Sequence, residues 1–161
     1  MNKTILRFSK AITFIMVIFS ASYISASDLS WHEKSENYNV YLGIVPADMI
    51  KTTPSLVDND KNLHGGVSKL SSNAQHVMIT IFNRSTKKRI NNATVIAEVS
   101  SGTLLGRKKL EKPLEKMNTS GQLNYANYFD MPKKGKYKIE LEIYESNKNG
   151  SDEITFFYDK Q

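Results

Sequence analysis

The chain has 161 residues, 22 of them basic and 16 acidic, for a formal net charge of +6, and it contains no cysteine. Without cysteine there is neither a disulfide nor a thiolate metal ligand, so the fold depends on burial alone. The first 27 residues hold three of the basic residues and none of the acidic ones, which leaves a charge of +3 on the remainder. A charge this small, without a dense basic stripe, does not predict nucleic-acid binding.

The N-terminal segment, residues 1–27, has the three-part order of a secretory signal peptide. A basic start precedes an apolar run from Ala11 to Phe19, and a stretch rich in small residues follows up to Ser27. The apolar run is short for a membrane span of ~20 residues. We therefore predict cleavage after Ala26 or Ser27, export from the cytoplasm and no stable membrane insertion afterwards. The alternative is an anchor that stays attached.

Beyond the signal peptide, apolar and polar residues alternate with the period of β-strands. The clearest segments lie at 38–44, 75–83, 95–99, 137–143 and 154–158, with weaker ones around 103–110 and 123–129. Turn residues separate the later segments at 118–121, 132–135 and 147–150. About seven short strands with such turns predict an all-β fold, an antiparallel immunoglobulin-like β-sandwich.

The predicted organisation is a signal peptide, a flexible N-terminus at 28–37 and one sandwich domain at 38–161. One connection within the domain, residues 47–74, is long and has little periodicity. A loop of this length in a compact domain is either functional or a disordered insertion, and both readings stay open.

Catalytic signatures are missing from the sequence. The stretch that starts at His32 begins like the zinc-protease motif H-E-x-x-H, but Glu36 occupies the position of the second histidine. There is no nucleophile elbow, phosphate-binding loop or dinucleotide fingerprint. We therefore expect a protein that is not an enzyme.

One pair of residues has the chemistry of a metal site. His76 and Met78 are two residues apart on a predicted strand, so their side chains share a face, opposite the apolar residues that begin with Val77. An imidazole beside a thioether suits a soft ion such as Cu(I). The alternative is a second covered surface, because methionine is a common packing residue and Thr80 and Phe82 lie on the same face.

Further ligands are predicted from elsewhere in the chain. His64 lies in the long loop before two glycines, which would let it fold over the strand as a third ligand. Met117 and Met131 each lie near a predicted turn and are candidates for a fourth. The predicted metal set is therefore His64, His76, Met78 and Met117.

The second half of the chain resembles the YtkA-like and FixH-like families. The similar residues lie at 93–99, 121–125, 128–132 and 135–141, where a strand, a Pro/Gly turn and a strand opening with Gly135-Lys-Tyr137 follow one another. The N-terminal part resembles uncharacterised bacterial periplasmic proteins with the same domain. His76-x-Met78 is similar to the closing His-x-Met of periplasmic copper chaperones, although the Met-rich remainder of that motif is absent.

These resemblances imply a small exported immunoglobulin-like domain. Several members of those families are encoded beside copper or cytochrome-oxidase functions, which implies a role in metal handling. Two functions are therefore expected of this chain. The first is a periplasmic accessory domain that holds copper or passes it to a donor or acceptor protein. The second is a metal-free envelope module, which docks a partner protein through an exposed strand edge or the long loop.

Overall fold

A computed structural model of the chain describes residues 30–51, 71–102, 108–119 and 121–161. The predicted signal peptide and His64 lie outside these residues. The described residues form eight strands and one short helix: β1 His32–Lys34, β2 Tyr38–Pro46, α1 Ala47–Lys51, β3 Ala74–Asn83, β4 Ala93–Ser101, β5 Lys108–Thr119, β6 Gln122–Asp130, β7 Gly135–Glu145 and β8 Asp152–Lys160. No helix among them has the length and apolar character needed to cross a membrane.

All strand pairings are antiparallel, in the order β1-β2-β3-β6-β5-β4-β7-β8. β5 divides its pairing between two layers, because residues 108–114 pair with β4 and residues 115–119 pair with β6. The first layer therefore contains β1, β2, β3 and β6, and the second contains β4, β7 and β8. At the far side the centroids of the Trp31 and Tyr158 rings are 6.2 Å apart. The two outer edges of the sheet therefore lie near each other, and the sandwich is nearly barrel-shaped. The predicted all-β sandwich is confirmed.

The main core lies between the two layers and follows the predicted alternation. On β3 the side chains of Val77, Ile79 and Ile81 are completely buried. They pack with the inward residues of the other strands, among them Val40, Tyr125, Phe129, Ile139, Leu141, Ile143 and Phe156. Burial of this apolar surface is the main force that holds a disulfide-free sandwich together.

Side chains replace the backbone ladder where β5 leaves β6. The last β6 residue paired with β5 is Ala126. Beyond it, Asn127 donates from Nδ2 to the carbonyl of Pro113 at 2.8 Å and accepts at Oδ1 from the Tyr128 amide at 2.7 Å. Lys112 donates from Nζ to the Tyr128 carbonyl at 2.8 Å. Backbone polar groups that would otherwise be buried unpaired are thus satisfied.

A tyrosine corner closes the turn between β6 and β7. Gly135 has a φ of 109°, a conformation that residues with a side chain rarely adopt. Tyr137 is 3% exposed, and its hydroxyl accepts from the Lys133 amide at 3.1 Å and donates to the Lys133 carbonyl at 2.9 Å. The hydroxyl therefore fixes the turn four residues upstream.

Three boundaries differ from the predictions. β1 lies inside 28–37, the segment predicted to be flexible, where the His32 ring stacks on Tyr41 at a centroid distance of 4.4 Å. α1 occupies the start of the predicted loop 47–74. The weak strand predicted around 103–110 is instead β5, at 108–119, and residues 103–107 lie outside the described part. Tertiary contacts that have no local sequence pattern account for the first two differences.

Candidate metal site

The outer face of β3 carries the predicted pair. His76 and Met78 point away from the main core, since Val77 and Ile79 occupy its inner face. The predicted division of this strand into two faces is therefore confirmed. The two side chains belong to adjacent rows of the outer face, which the pleat separates by about 7 Å.

His76 is buried in a second, smaller cluster of apolar side chains. It is 1% exposed, and the register places it between Val45 of β2 and Tyr128 of β6. Its ring lies 4.7 Å from the Tyr128 ring, at an interplanar angle of 44°. Ala47 at the start of α1, Ala74 and Tyr128 form the small cluster at this end of the face. The imidazole thus lies under a cover and not on open surface.

Tyr128 is the residue at this site that the sequence analysis missed. Burial raises the pKa of Tyr128 above its usual value, because desolvation disfavours the phenolate. The sequence contains a partial signal, because the strand predicted here carries Tyr125 and Phe129 on one face and Ala126 and Tyr128 on the other. Apolar side chains on both faces favour a strand that is covered on both sides.

Met78 is half-buried and has small neighbours on both sides. The register pairs it with Gly43 on β2 and Ala126 on β6. Its terminal methyl carbon lies 3.5 Å from the point that a Cβ on Gly43 would occupy. Neither immediate neighbour has a side chain longer than one carbon, so no bulky side chain lies directly beside the thioether on β2 or β6. The next residue in this row is Glu115 of β5, which pairs with Ala126.

Met117 lies on the same outer face but not beside the other two residues. It pairs with Asn124, whose side chain accepts a hydrogen bond from Thr80, two rows beyond His76. The strand geometry therefore separates Met117 from His76 by about 13 Å along the strands and about 10 Å across them. A metal ion lies within about 2.3 Å of each of its ligand atoms, so one ion cannot bind Met117 and His76 at this separation. Proximity to a turn, the basis of the prediction, carries no information about register.

The other two candidate ligands, Met131 and His64, lie in different parts of the chain. Met131 is completely buried in the main core, so it is a packing residue and the prediction for it is wrong. His64 lies outside the described residues, in the segment between Lys51 at the end of α1 and Ser71 before β3. Among the described residues no three His, Asp or Glu side chains are grouped as a metal site. The described part of the chain thus brings together His76 and Met78 from the predicted set.

No protein family model and no curated protein sequence matches the chain. The resemblance to the YtkA-like and FixH-like families therefore stays a prediction. Several solved structures do match. A DUF4426 family protein from Pseudomonas aeruginosa aligns with a TM-score of 0.57 and 8% identity, over 81% of this chain and 96% of that one.

Two further matches are structures whose names include copper. A copper-bound variant of FetP from uropathogenic Escherichia coli has a TM-score of 0.57 and 11% identity, over 82% of this chain and 95% of that one. Copper-reconstituted P19 from Campylobacter jejuni has a TM-score of 0.56 and 8% identity, over 81% of this chain and 92% of that one. At such identities the likeness shows a common fold. The chain is a small antiparallel β-sandwich of the kind found in these bacterial proteins.

Proposed function

We propose that this chain is an exported accessory domain of the periplasm that holds a copper ion at the outer face of β3, through His76 and Met78. The observation that carries the proposal is the shared face of an imidazole and a thioether, one row apart, with the small residues Gly43 and Ala126 paired to Met78 on the two neighbouring strands. Thioether sulfur prefers soft ions, so the reduced ion Cu(I) is the expected cargo and Zn(II) is expected to bind more weakly.

Two further arguments support copper at this position. The fold is shared with FetP and P19 structures that carry copper in their names, so a sandwich of this shape is compatible with copper. The segment that contains His64 starts after α1 and returns before β3, and both ends adjoin the cluster that covers His76. We propose His64 as the third ligand on the basis of this connection. The predicted signal peptide supports the periplasmic location.

Competition titration against a coloured Cu(I) chelator tests the proposal. The chain from residue 28 onward is compared with the variants His76→Ala, Met78→Leu and His64→Ala. Loss of one ligand should weaken Cu(I) binding at least about tenfold, or 1.4 kcal/mol. Met117→Leu is the matched control, because it removes a thioether from the same face at a distance that excludes it from the site.

The His76→Ala, Met78→Leu double variant decides the outcome. Its far-ultraviolet circular dichroism spectrum should match that of the unsubstituted chain, whereas its Cu(I) affinity should fall below that of either single variant. Unchanged affinity in a folded double variant would place copper elsewhere. If only the His64→Ala variant retains full affinity, the β3 pair stands and the third ligand is a different residue.

A metal-free interaction module is the second candidate function. It is favoured by large apolar side chains left exposed near the two strand edges. Trp31 before β1 is 49% exposed and Phe157 on β8 is 46% exposed. Exposed apolar residues beside an unpaired strand edge suit a protein partner. If the unsubstituted chain does not bind Cu(I), this function replaces the first.

A further inference from the structure

A separate cavity lies on the same outer face, at the opposite end of β3 from His76. Its volume is about 450 Å³. It is lined by residues of β2, β3 and the connection to β4: Asn39, Tyr41, Thr80, Phe82, Lys87 and Arg89. Two of these are cations and none is acidic. The cavity therefore combines aromatic surface with positive charge.

Tyr41 provides a braced aromatic surface. Its ring is stacked on His32 at 4.4 Å with an interplanar angle of 17°, and it meets Phe82 at 5.8 Å in a T-shaped arrangement. It is nevertheless 46% exposed. A ring held on two sides loses little side-chain entropy when a ligand stacks on it, which favours binding.

Arg89 is held in place by three contacts. Its Cζ lies 4.9 Å from the centroid of the Phe82 ring, and Nη1 donates to the Leu123 carbonyl at 2.9 Å and to Asn124 Oδ1 at 3.1 Å. Within the described part of the chain its hydrogen bonds all use Nη1, so Nε and Nη2 are available to another acceptor. A fixed guanidinium with such donors matches the geometry of a carboxylate.

Lys87 adds a second positive charge from the turn between β3 and β4. Its φ of 58° is in the left-handed region, and its Nζ donates to the Arg84 carbonyl at 2.5 Å. The hydrogen bond holds the ammonium against the turn, and Lys87 lines the cavity there. Because none of the described residues that line the cavity is acidic, the two cations favour an anionic ligand.

We infer that this cavity binds a small organic anion in which a carboxylate is attached to a flat ring. The ring would stack on Tyr41 and the carboxylate would accept hydrogen bonds from Arg89. The distances to the Phe82 ring, 5.8 Å from Tyr41 and 4.9 Å from Arg89 Cζ, limit the span between the two anchors to about 11 Å. An acid of one or two rings fits this span, and the ring is either aromatic or a sugar.

Calorimetric titration of the copper-free chain with two probes tests the inference and identifies the source of the ring. The probes are 4-hydroxyphenylacetate, an aromatic acid, and glucuronate, a sugar acid. The variants Arg89→Lys and Tyr41→Leu should each weaken binding of the correct probe at least tenfold. Lys88→Gln is the matched control, because this exposed lysine of the same turn does not line the cavity. It should change the affinity less than twofold.

Each outcome of the titrations either supports or overturns the inference. Binding of one probe that is lost in both variants supports the inference and selects that class of ring. The inference is overturned if both probes bind more weakly than about 10 mM, or if both variants bind like the unsubstituted chain. It is also overturned if the methyl ester of the aromatic acid binds as tightly as the acid. Should Arg89→Lys fail to fold, Tyr41→Leu together with amide NMR shifts at Asn39 and Thr80 gives the answer.

Discussion

Tyr38 joins the two layers of the sandwich through a buried phenol. Its hydroxyl donates to Glu145 Oε1 at 2.5 Å and accepts from Lys148 Nζ at 3.1 Å, and the same ammonium lies 4.5 Å above the Tyr38 ring. β2 of the first layer is thereby tied to the end of β7 in the second. Burial, the hydrogen bond to Glu145 and the negative charges of Glu145 and Asp152 all raise the pKa of Tyr38 well above its usual value.

The raised pKa of Tyr38 predicts a loss of stability in alkali. In the unfolded chain the phenol ionises near pH 10, whereas the folded chain keeps its proton. The unfolded state then binds fewer protons, so the free energy of unfolding should fall as the pH rises above about 10. Urea denaturation between pH 8 and about 11 should show a smaller fall in Tyr38→Phe. The exposed tyrosine variant Tyr41→Phe is the control, and an equal slope in both variants would refute the assignment.

The hydroxyl of Tyr137 has a role that a single substitution isolates. Tyr137→Phe keeps the buried ring and removes the two hydrogen bonds to Lys133. We expect a loss of about 1 kcal/mol in the free energy of unfolding, as for a typical intramolecular hydrogen bond. Urea denaturation measures this loss, and Tyr144→Phe, at a more exposed ring, serves as the control. A change within experimental error would show that the corner does not depend on the hydroxyl.

At the scale of the strand, the sequence predicts faces better than boundaries. On β3 the alternation from Val77 to Ile81 is regular, so the positions of His76 and Met78 on the opposite face follow from the pleat alone. On β5 the sequence has a proline and many charges, and the strand exists because it pairs with β4 and then with β6. Pairing of this kind depends on distant residues, which a local pattern does not contain.

The change of layer along β5 depends on Asn127. This side chain is 2% exposed and makes two hydrogen bonds where the ladder between β5 and β6 ends. Asn127→Ala should leave a buried carbonyl and a buried amide without these partners, at a cost of about 1–3 kcal/mol in urea denaturation.

Asn118→Ala is the matched control for this substitution, because Asn118 is an exposed asparagine of β5 and should change stability by less than about 0.5 kcal/mol. Equal effects of the two substitutions would show that β5 leaves β6 without help from the Asn127 amide.

At the scale of the whole molecule, strand order decides which predicted ligands meet. The sequence places Met117 and Met131 near turns, yet one lies two strands from β3 and the other lies in the core. β3 and β6 are neighbours although two strands separate them in the chain, and this pairing brings Tyr128 against His76. Such long-range pairing is set by the fit of the complete core, so neither the contact of Tyr128 with His76 nor the distance of Met117 was predictable from spacing.

The most direct test of the central claim is the X-ray absorption spectrum of the Cu(I)-loaded chain. If His76 and Met78 hold the ion, the spectrum should contain nitrogen near about 2.0 Å and sulfur near about 2.3 Å, as is typical of imidazole and sulfur ligands to a transition metal. In Met78→Leu the sulfur contribution should disappear, whereas Met117→Leu should leave it unchanged. A spectrum without sulfur in the unsubstituted chain, or one whose sulfur survives in Met78→Leu, would contradict copper binding on the outer face of β3.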